Sequence, residues 1–408
     1  VGPRLSTGAG VLMLLIPTWM EFGASCYVEP YLVLLSTLAM GCGLRWIEGE
    51  PRAALPMALL LGLAAGVKYP GLAVLVFVLG LTLLFQLYAR REEEQGVGKV
   101  LVDWVPLLLI AAILAAPFYL RNILERGNPF FPMFYEVFGG RGWDDFRAEG
   151  YAFTLADYGA GRELGDYLLL PWRLFTTREL DADFDGSVGP AALLVVITGM
   201  VQLCKLRQRG PALLVAIGVV WSVFWALQVQ QIRFYFVGLV PLLAVGFWGL
   251  QQISESGRRL GLGVLGLGAV LWLIMPWSDQ QDVQREGPLM ELWDRQQTGA
   301  YLAGEVSQDE VLESVMPWTY RPFQELGDHV PEDGKVWLVY ARAHTYYLDR
   351  DYRLDCVFED WRFIEALMLA DTAAGFVAEL RSDGVTHLLV NHGVFLHPQD
   401  PDASEELR

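Results

Sequence analysis

The 408-residue sequence is short of cysteine, short of basic residues and, over long stretches, short of any charge at all. Its four cysteines, Cys26, Cys42, Cys204 and Cys356, stand far apart, without the spacing of a zinc site or a disulfide framework, so neither is expected to hold the fold. Thirty Lys and Arg against 47 Asp and Glu leave a formal charge of −17, which gives nucleic-acid binding no support. No basic flank and small-residue cleavage site mark a secretory signal. The chain opens Val1-Gly2-Pro3-Arg4 directly on an apolar run and is expected to lack its natural N-terminus. The sequence offers neither an internal repeat nor charged mid-span helices, which weighs against a transporter or channel.

What is present is apolar. Hydrophobic residues make up 53% of the chain, with 14 Trp, and the mean hydropathy is +0.33. That balance fits a polytopic α-helical membrane protein with an attached polar region better than a soluble two-domain protein. Windows long enough to cross a bilayer, roughly 17–25 residues, fall at 8–24, 27–46, 53–68, 70–88, 101–119, 190–204, 211–228, 234–250 and 260–277. About nine spans are therefore expected within residues 1–277. Gly62, Gly66, Pro106 and Pro241 inside them are ordinary for membrane helices.

With the N-terminal end in the cytoplasm, the alternating spans leave Arg4, Arg45, Arg52, Arg90, Arg91, Lys99, Lys205, Arg207, Arg209, Arg258 and Arg259 on the inside. The short outer turns then hold only Lys68 and Arg233, as the positive-inside rule requires. Glu21, Glu29, Lys68, the long segment 120–189, Arg233 and the tail 278–408 emerge on the outer face. In a bacterium this describes the cytoplasmic (inner) membrane with the C-terminal region outside. The tail reads differently from the rest. Pro331-Glu332-Asp333-Gly334 is turn chemistry, Lys335 to Tyr340 reads as a buried strand, Tyr352 to Phe358 as a second, and 385–390 as a third. Asp371 to Leu380 has helical spacing with Asp371 as the expected N-cap. Residues 278–408 are thus expected to form a small α/β extracytoplasmic domain, frayed from about 398 on.

Several outward polar residues can carry chemistry. Lys68 sits in an otherwise uncharged run, where an ammonium costs on the order of 2.5–3.5 kcal/mol in hydrocarbon. Either it snorkels to the headgroups or it meets a phosphate at the membrane surface. Glu29 precedes Pro30 at the outer start of a span. It is either a charge stabilised by the helix dipole or a carboxylate lining an outward cavity, with Glu21 a weaker candidate on the same rim. Arg233 in Gln231-Ile232-Arg233-Phe234-Tyr235 is a second outer cation or an interfacial anchor. Arg121-Asn122 and Gly127-Asn128-Pro129-Phe130-Phe131-Pro132 point to a re-entrant or interfacial element, whose polar backbone must face protein or a wet cavity. Residues 166–172 resemble an amphipathic surface helix. Asp144, Asp145, Asp157, Asp181, Asp183 and Asp185 have no diagnostic metal spacing and read as solvated charges, so no metal ligand is assigned.

Taken together these stretches resemble the polyprenyl-phosphate-sugar-dependent membrane glycosyltransferases of the GT-C class, in the branch of protein O-mannosyltransferases and bacterial aminoarabinose transferases. The resemblance rests on Tyr27-Val28-Glu29-Pro30, on Gly62 to Tyr69, on Arg121-Asn122 with Gly127 to Pro132, on Leu170-Pro171-Trp172 before Gly186 to Pro190, and on Gln231 to Tyr235. It covers residues 15–250. It implies inverting transfer of a sugar from a polyprenyl-phosphate carrier to an unidentified acceptor at the outer membrane surface. A carboxylate takes the acceptor proton and cations hold the departing lipid phosphate. Carried over, Glu29 and Glu21 are catalytic candidates and Lys68, Arg233 and Arg121 contact the donor phosphate. Tyr69, Asn122, Asn128 and Tyr235 line the cavity. The cofactor is unknown, a divalent metal ion being the one candidate. The family's principal catalytic Asp lies in a first outer loop that would precede Val1, and its Arg-Tyr motif reads Arg233-Phe234-Tyr235 here. The alternative expectation is a non-catalytic membrane scaffold or assembly subunit of the same fold.

Overall fold

The computed structural model describes residues 3–24, 27–92, 97–177, 184, 186–274, 277–278, 284–285, 297–316, 319–341, 345–354, 361–370 and 372–391. The chain divides into two compact units, residues 1–144 with 152–290, and residues 145–151 with 291–408.

The larger unit is helical: α1 (Pro3–Leu14), α2 (Pro17–Ala24), α3 (Glu29–Ile47), α4 (Ala54–Val67), α5 (Tyr69–Glu92) and α6 (Val97–Arg126) come first. After them come α7 (Tyr135–Phe138), α8 (Asp145–Asp157, crossing the division), α9 (Leu164–Thr176), α10 (Pro190–Leu206), α11 (Arg209–Leu227), α12 (Ile232–Gln251) and α13 (Glu255–Ile274). A two-residue antiparallel pair, β1 (Trp277–Ser278) with β2 (Gln284–Arg285), follows. Among the described residues, six helices are long and apolar enough to cross a membrane: α3, α5, α6, α11, α12 and α13. They mark the chain as a membrane protein. Three more of the nine expected spans are shorter apolar helices. The window 8–24 is not one helix but two, because Pro17 has no N–H to continue α1 and disfavours helical backbone at Ile16.

Helix α12 is the centre of this unit, with 72% of its span buried, whereas α13 buries 11% and α6 17%. A helix that is apolar all round belongs in the core. Glycines let its neighbours approach: a Cβ on Gly199 of α10 would lie 2.6 Å from the backbone of Val245 and Gly246. On the other side Trp221 of α11 packs against Gly238 of α12, and Leu242 of α12 against Gly218 of α11. Without a hydrophobic drive between helices in lipid, such close packing is what holds them together.

In the smaller unit, β3 (Lys335–Val339) pairs in parallel with β4 (Asp351–Leu354) on one side and β5 (His387–Val390) on the other. Alternation along β3 sends Val336 and Leu338 to Phe323 and Leu326 of the helix Tyr320–His329. Trp337 and Val339 go the other way, to Phe363, Phe376 and Leu380. A strand covered on both faces explains the unbroken apolar run Val336 to Val339. The expected turn forms, with Gly334 N donating to Pro331 O at 2.8 Å. The last helix, Ala373–Ser382, is capped by Thr372, whose hydroxyl accepts from Gly375 N, and not by Asp371 as the spacing predicts. Asp371 and the stretch 355–358 of the second expected strand lie outside the described residues.

Candidate functional site

Lys68 is the one residue between α4 and α5. Its backbone is extended (φ −164°, ψ 158°), and its carbonyl accepts from Gly71 N at 2.8 Å. Helix α5 turns back so tightly that a Cβ on Gly71 would lie 1.9 Å from Ala64 O. Gly71 is therefore what lets the break be a single residue. Glu29 opens α3, with Pro30 in its first turn, where a carboxylate meets the positive end of the helix dipole. Arg233 lies in the first turn of α12. That turn is pinned by Trp225 Nε1 donating to Gln231 O at 2.7 Å and Trp221 Nε1 donating to Phe234 O at 2.9 Å.

These three elements bring Glu29, Lys68 and Arg233 together. Glu29 is 2% exposed, and its Oε1 accepts from Lys68 Nζ at 2.6 Å. Arg233 Nε stands 3.9 Å from the same oxygen, within ion-pair range but beyond a hydrogen bond. The Arg233 guanidinium instead donates to Gln231 Oε1 at 2.9 Å. Aromatic faces complete the frame. Lys68 Nζ is 4.6 Å from the centre of the Phe234 ring, and the Arg233 guanidinium is 5.1 Å from Phe234 and 5.4 Å from Tyr27. Each such contact contributes about 0.5–2 kcal/mol depending on desolvation.

Two features of this cluster bear on chemistry. Among the described residues it carries two cations against one carboxylate, an excess of one positive charge. Glu29 Oε2 and Arg233 Nε are also buried without a hydrogen-bond partner. Buried polar atoms are nearly always satisfied, and an exception calls for an explanation. Here the orphaned pair is an acceptor beside a donor.

The other expected site residues divide. Tyr69 and Asn122 meet: Asn122 Nδ2 donates to Tyr69 Oη at 2.8 Å and to Pro129 O at 3.2 Å, and Tyr69 Oη donates to Phe131 O. Asn128 is fully buried but spends its side chain on Met133 O, Gly139 O and Phe130 N, inside its own loop. Tyr235 packs in the core against Trp225 and Phe175. Arg121, expected at the donor phosphate, is exposed and pairs with Glu125 at 3.1 Å, so the structure does not bring it to the cluster. Glu21 lies on α2, and its side chain is outside the described residues, as are Asp181, Asp183 and Asp185. Among the described residues no three metal-ligating groups come together. Sequence reasoning did not single out Phe234, Tyr27 or Gln231 as partners of the cations. Their only signal was adjacency to Arg233 and Glu29.

An open apolar groove of about 540 Å³ lies on the same helices, lined by none of Glu29, Lys68 and Arg233. Val28, Tyr31 and Leu35 of the α3 side line it, with Leu63 and Val67 of α4 and Phe118 of α6. Val28 and Val67 immediately precede Glu29 and Lys68, so the groove and the charges share one end of the α3–α4 pair. No family model, curated protein or solved structure is found to match this chain.

Proposed function

We propose that the protein is an integral-membrane glycosyltransferase that takes a sugar from a polyprenyl-phosphate carrier and passes it to an acceptor on the outer face of the membrane. In this reading the nine apolar segments span a bacterial inner membrane, α1 and α2 together making the first crossing. The N-terminal end is cytoplasmic and the sheet-bearing unit lies outside. The observation that carries the proposal is the orphaned pair in a net-cationic cluster. Arg233 Nε lacks an acceptor and Glu29 Oε2 lacks a donor. Both atoms are buried, so in this reading the Lys68 and Arg233 side chains shift toward an arriving sugar phosphate, which supplies a phosphoryl oxygen to the arginine and a hydroxyl to the carboxylate. The excess charge favours the phosphate, and the adjoining groove is apolar enough for the lipid chain.

In the transfer, the acceptor oxygen or nitrogen attacks the anomeric carbon from the face opposite the phosphate. The C–O bond breaks, its electron pair leaves with the lipid phosphate, and the acceptor proton passes to a base. Lys68 and Arg233 stabilise the charge that develops on the phosphate oxygens, the kind of electrostatic assistance that weighs most in such reactions. Glu29 serves as their counter-ion, since one oxygen is already taken by Lys68. The base is not assigned among the described residues.

The test is transfer of labelled sugar from polyprenyl-phosphate sugar by the protein in lipid nanodiscs. Lys68→Ala is expected to lower transfer by about 10²–10³, the cost of losing one preorganised charge-stabilising group. Full transfer by Lys68→Ala would overturn the site. Tight carrier binding without transfer to any acceptor class would leave the scaffold reading in its place.

A further inference from the structure

The segment after α6 is folded as a body of its own. Gly127, at φ +79°, ends α6 and starts the turn. Asn128 then staples the segment internally, its Nδ2 donating to Met133 O (2.9 Å) and Gly139 O (3.0 Å) while its Oδ1 accepts from Phe130 N (2.8 Å). The far end returns to its origin, because Arg141 N donates to Arg126 O at 2.8 Å and the Arg141 guanidinium donates to Leu124 O. Residues 128–141 thus form a self-stapled loop, a flap rooted on the last turn of α6.

One phenol joins that flap to the charged cluster. Tyr69 immediately follows Lys68, and its hydroxyl donates to Phe131 O while accepting from Asn122 Nδ2. The Tyr69 ring packs edge-on to Phe118 at 5.2 Å and lies 6.5 Å from Phe130. A second phenol, Tyr119, ties α6 to α4 by donating to Ala65 O at 3.1 Å. Phe118 and Tyr119 brace this region, and two side chains hold the flap to it: the Tyr69 hydroxyl donating to Phe131 O and Asn122 Nδ2 donating to Pro129 O at 3.2 Å.

We infer that Tyr69 is a positioning residue whose hydroxyl latches the 128–141 flap to the Lys68 break, coupling occupancy of the anion site to order in the flap. The inference rests on the reading of Lys68 as a ligand of lipid phosphate. Lys68 is a single extended residue between two helices, so a shift of its side chain from Glu29 toward a phosphate turns the same short backbone that carries Tyr69. The flap answers because its polar backbone, at the membrane surface, must be covered by protein or water. A flap held by the phenol shields the phosphate end of the carrier. A freed flap opens it to the acceptor side.

The experiment is amide hydrogen exchange over residues 128–141 in nanodiscs, with and without polyprenyl phosphate, for wild type, Tyr69→Phe and Lys68→Ala. Tyr69→Phe keeps the ring packing and removes only the hydroxyl. It is expected to exchange about tenfold faster than wild type without lipid, the scale of one or two net hydrogen bonds, and to lose the protection that lipid confers. Lys68→Ala is expected to lose the lipid-induced part of the protection. Wild-type exchange in Tyr69→Phe under both conditions overturns the latch. Failure of wild type to bind polyprenyl phosphate overturns the lipid-phosphate reading and the coupling with it, while the lipid-free comparison still decides the latch.

Discussion

Neutralising Glu29 should move stability and anion affinity in opposite directions. Unit charges about 4 Å apart attract by roughly 4 kcal/mol at an effective dielectric near 20. Lys68 is 33% exposed, and screening at such a site leaves about half of that, near 2 kcal/mol. Glu29→Gln removes this attraction and leaves two cations facing each other in an aromatic frame, so stability toward unfolding in mixed micelles should fall by about 2–4 kcal/mol, overlapping the low end of the roughly 3–5 kcal/mol for breaking a buried pair. The same change deletes the negative charge that, among the described residues of the cluster, repels an incoming phosphate. Polyprenyl-phosphate affinity should rise about tenfold, or 1.4 kcal/mol, and saturating lipid should recover much of the lost stability by mass action. Lys68→Ala should weaken both stability and binding. The reasoning is refuted if Glu29→Gln binds the lipid no better than wild type, or if it matches wild-type stability without lipid.

Two further outcomes follow from local geometry. Gly71→Ala puts a methyl group against the Ala64 carbonyl, where backbone and not a flexible side chain must yield. It should cost about 1–3 kcal/mol, as overpacking does, and weaken lipid-phosphate binding by displacing Lys68, checked by unfolding and by binding in one preparation. In the smaller unit, the Ser307 backbone N–H and, next, its hydroxyl donate to Glu310 and hold that carboxyl below its ordinary value. A depressed carboxyl stabilises the folded state above the ordinary range and loses that contribution as pH falls through the lowered value. Ser307→Ala should move the Glu310 midpoint, read by carboxyl carbon NMR, back toward the ordinary value, and an unmoved midpoint would refute the capping contact.

How far the site was legible depends on the residue. Lys68 announced itself, because a lone ammonium in an apolar run needs a partner. Its partner did not, since Glu29 lies 39 positions away and could as well have been a helix-end charge. Arg121 and Asn122 show the limit most plainly. Neighbours on a helix point about 100° apart, and the sequence offers no way to tell which of the two faces the flap. Asn128 looked like a cavity residue and proved to be the staple of its own loop, a use that depends on where Met133 and Gly139 carbonyls fall.

The sequence by itself determined the membrane-protein character, the positions of the apolar helices and the buried central strand. These depend on local runs of hydrophobicity, and burial in lipid or in a sheet is decided by composition over a few residues. Only the tertiary structure decided that α12 is central and α13 peripheral, that the first window is two helices, and that two cations converge on one carboxylate with a donor and an acceptor left over. Those are properties of distance between remote segments. Distance is fixed by how helices pack, here through glycines that admit close approach, and no local pattern records it.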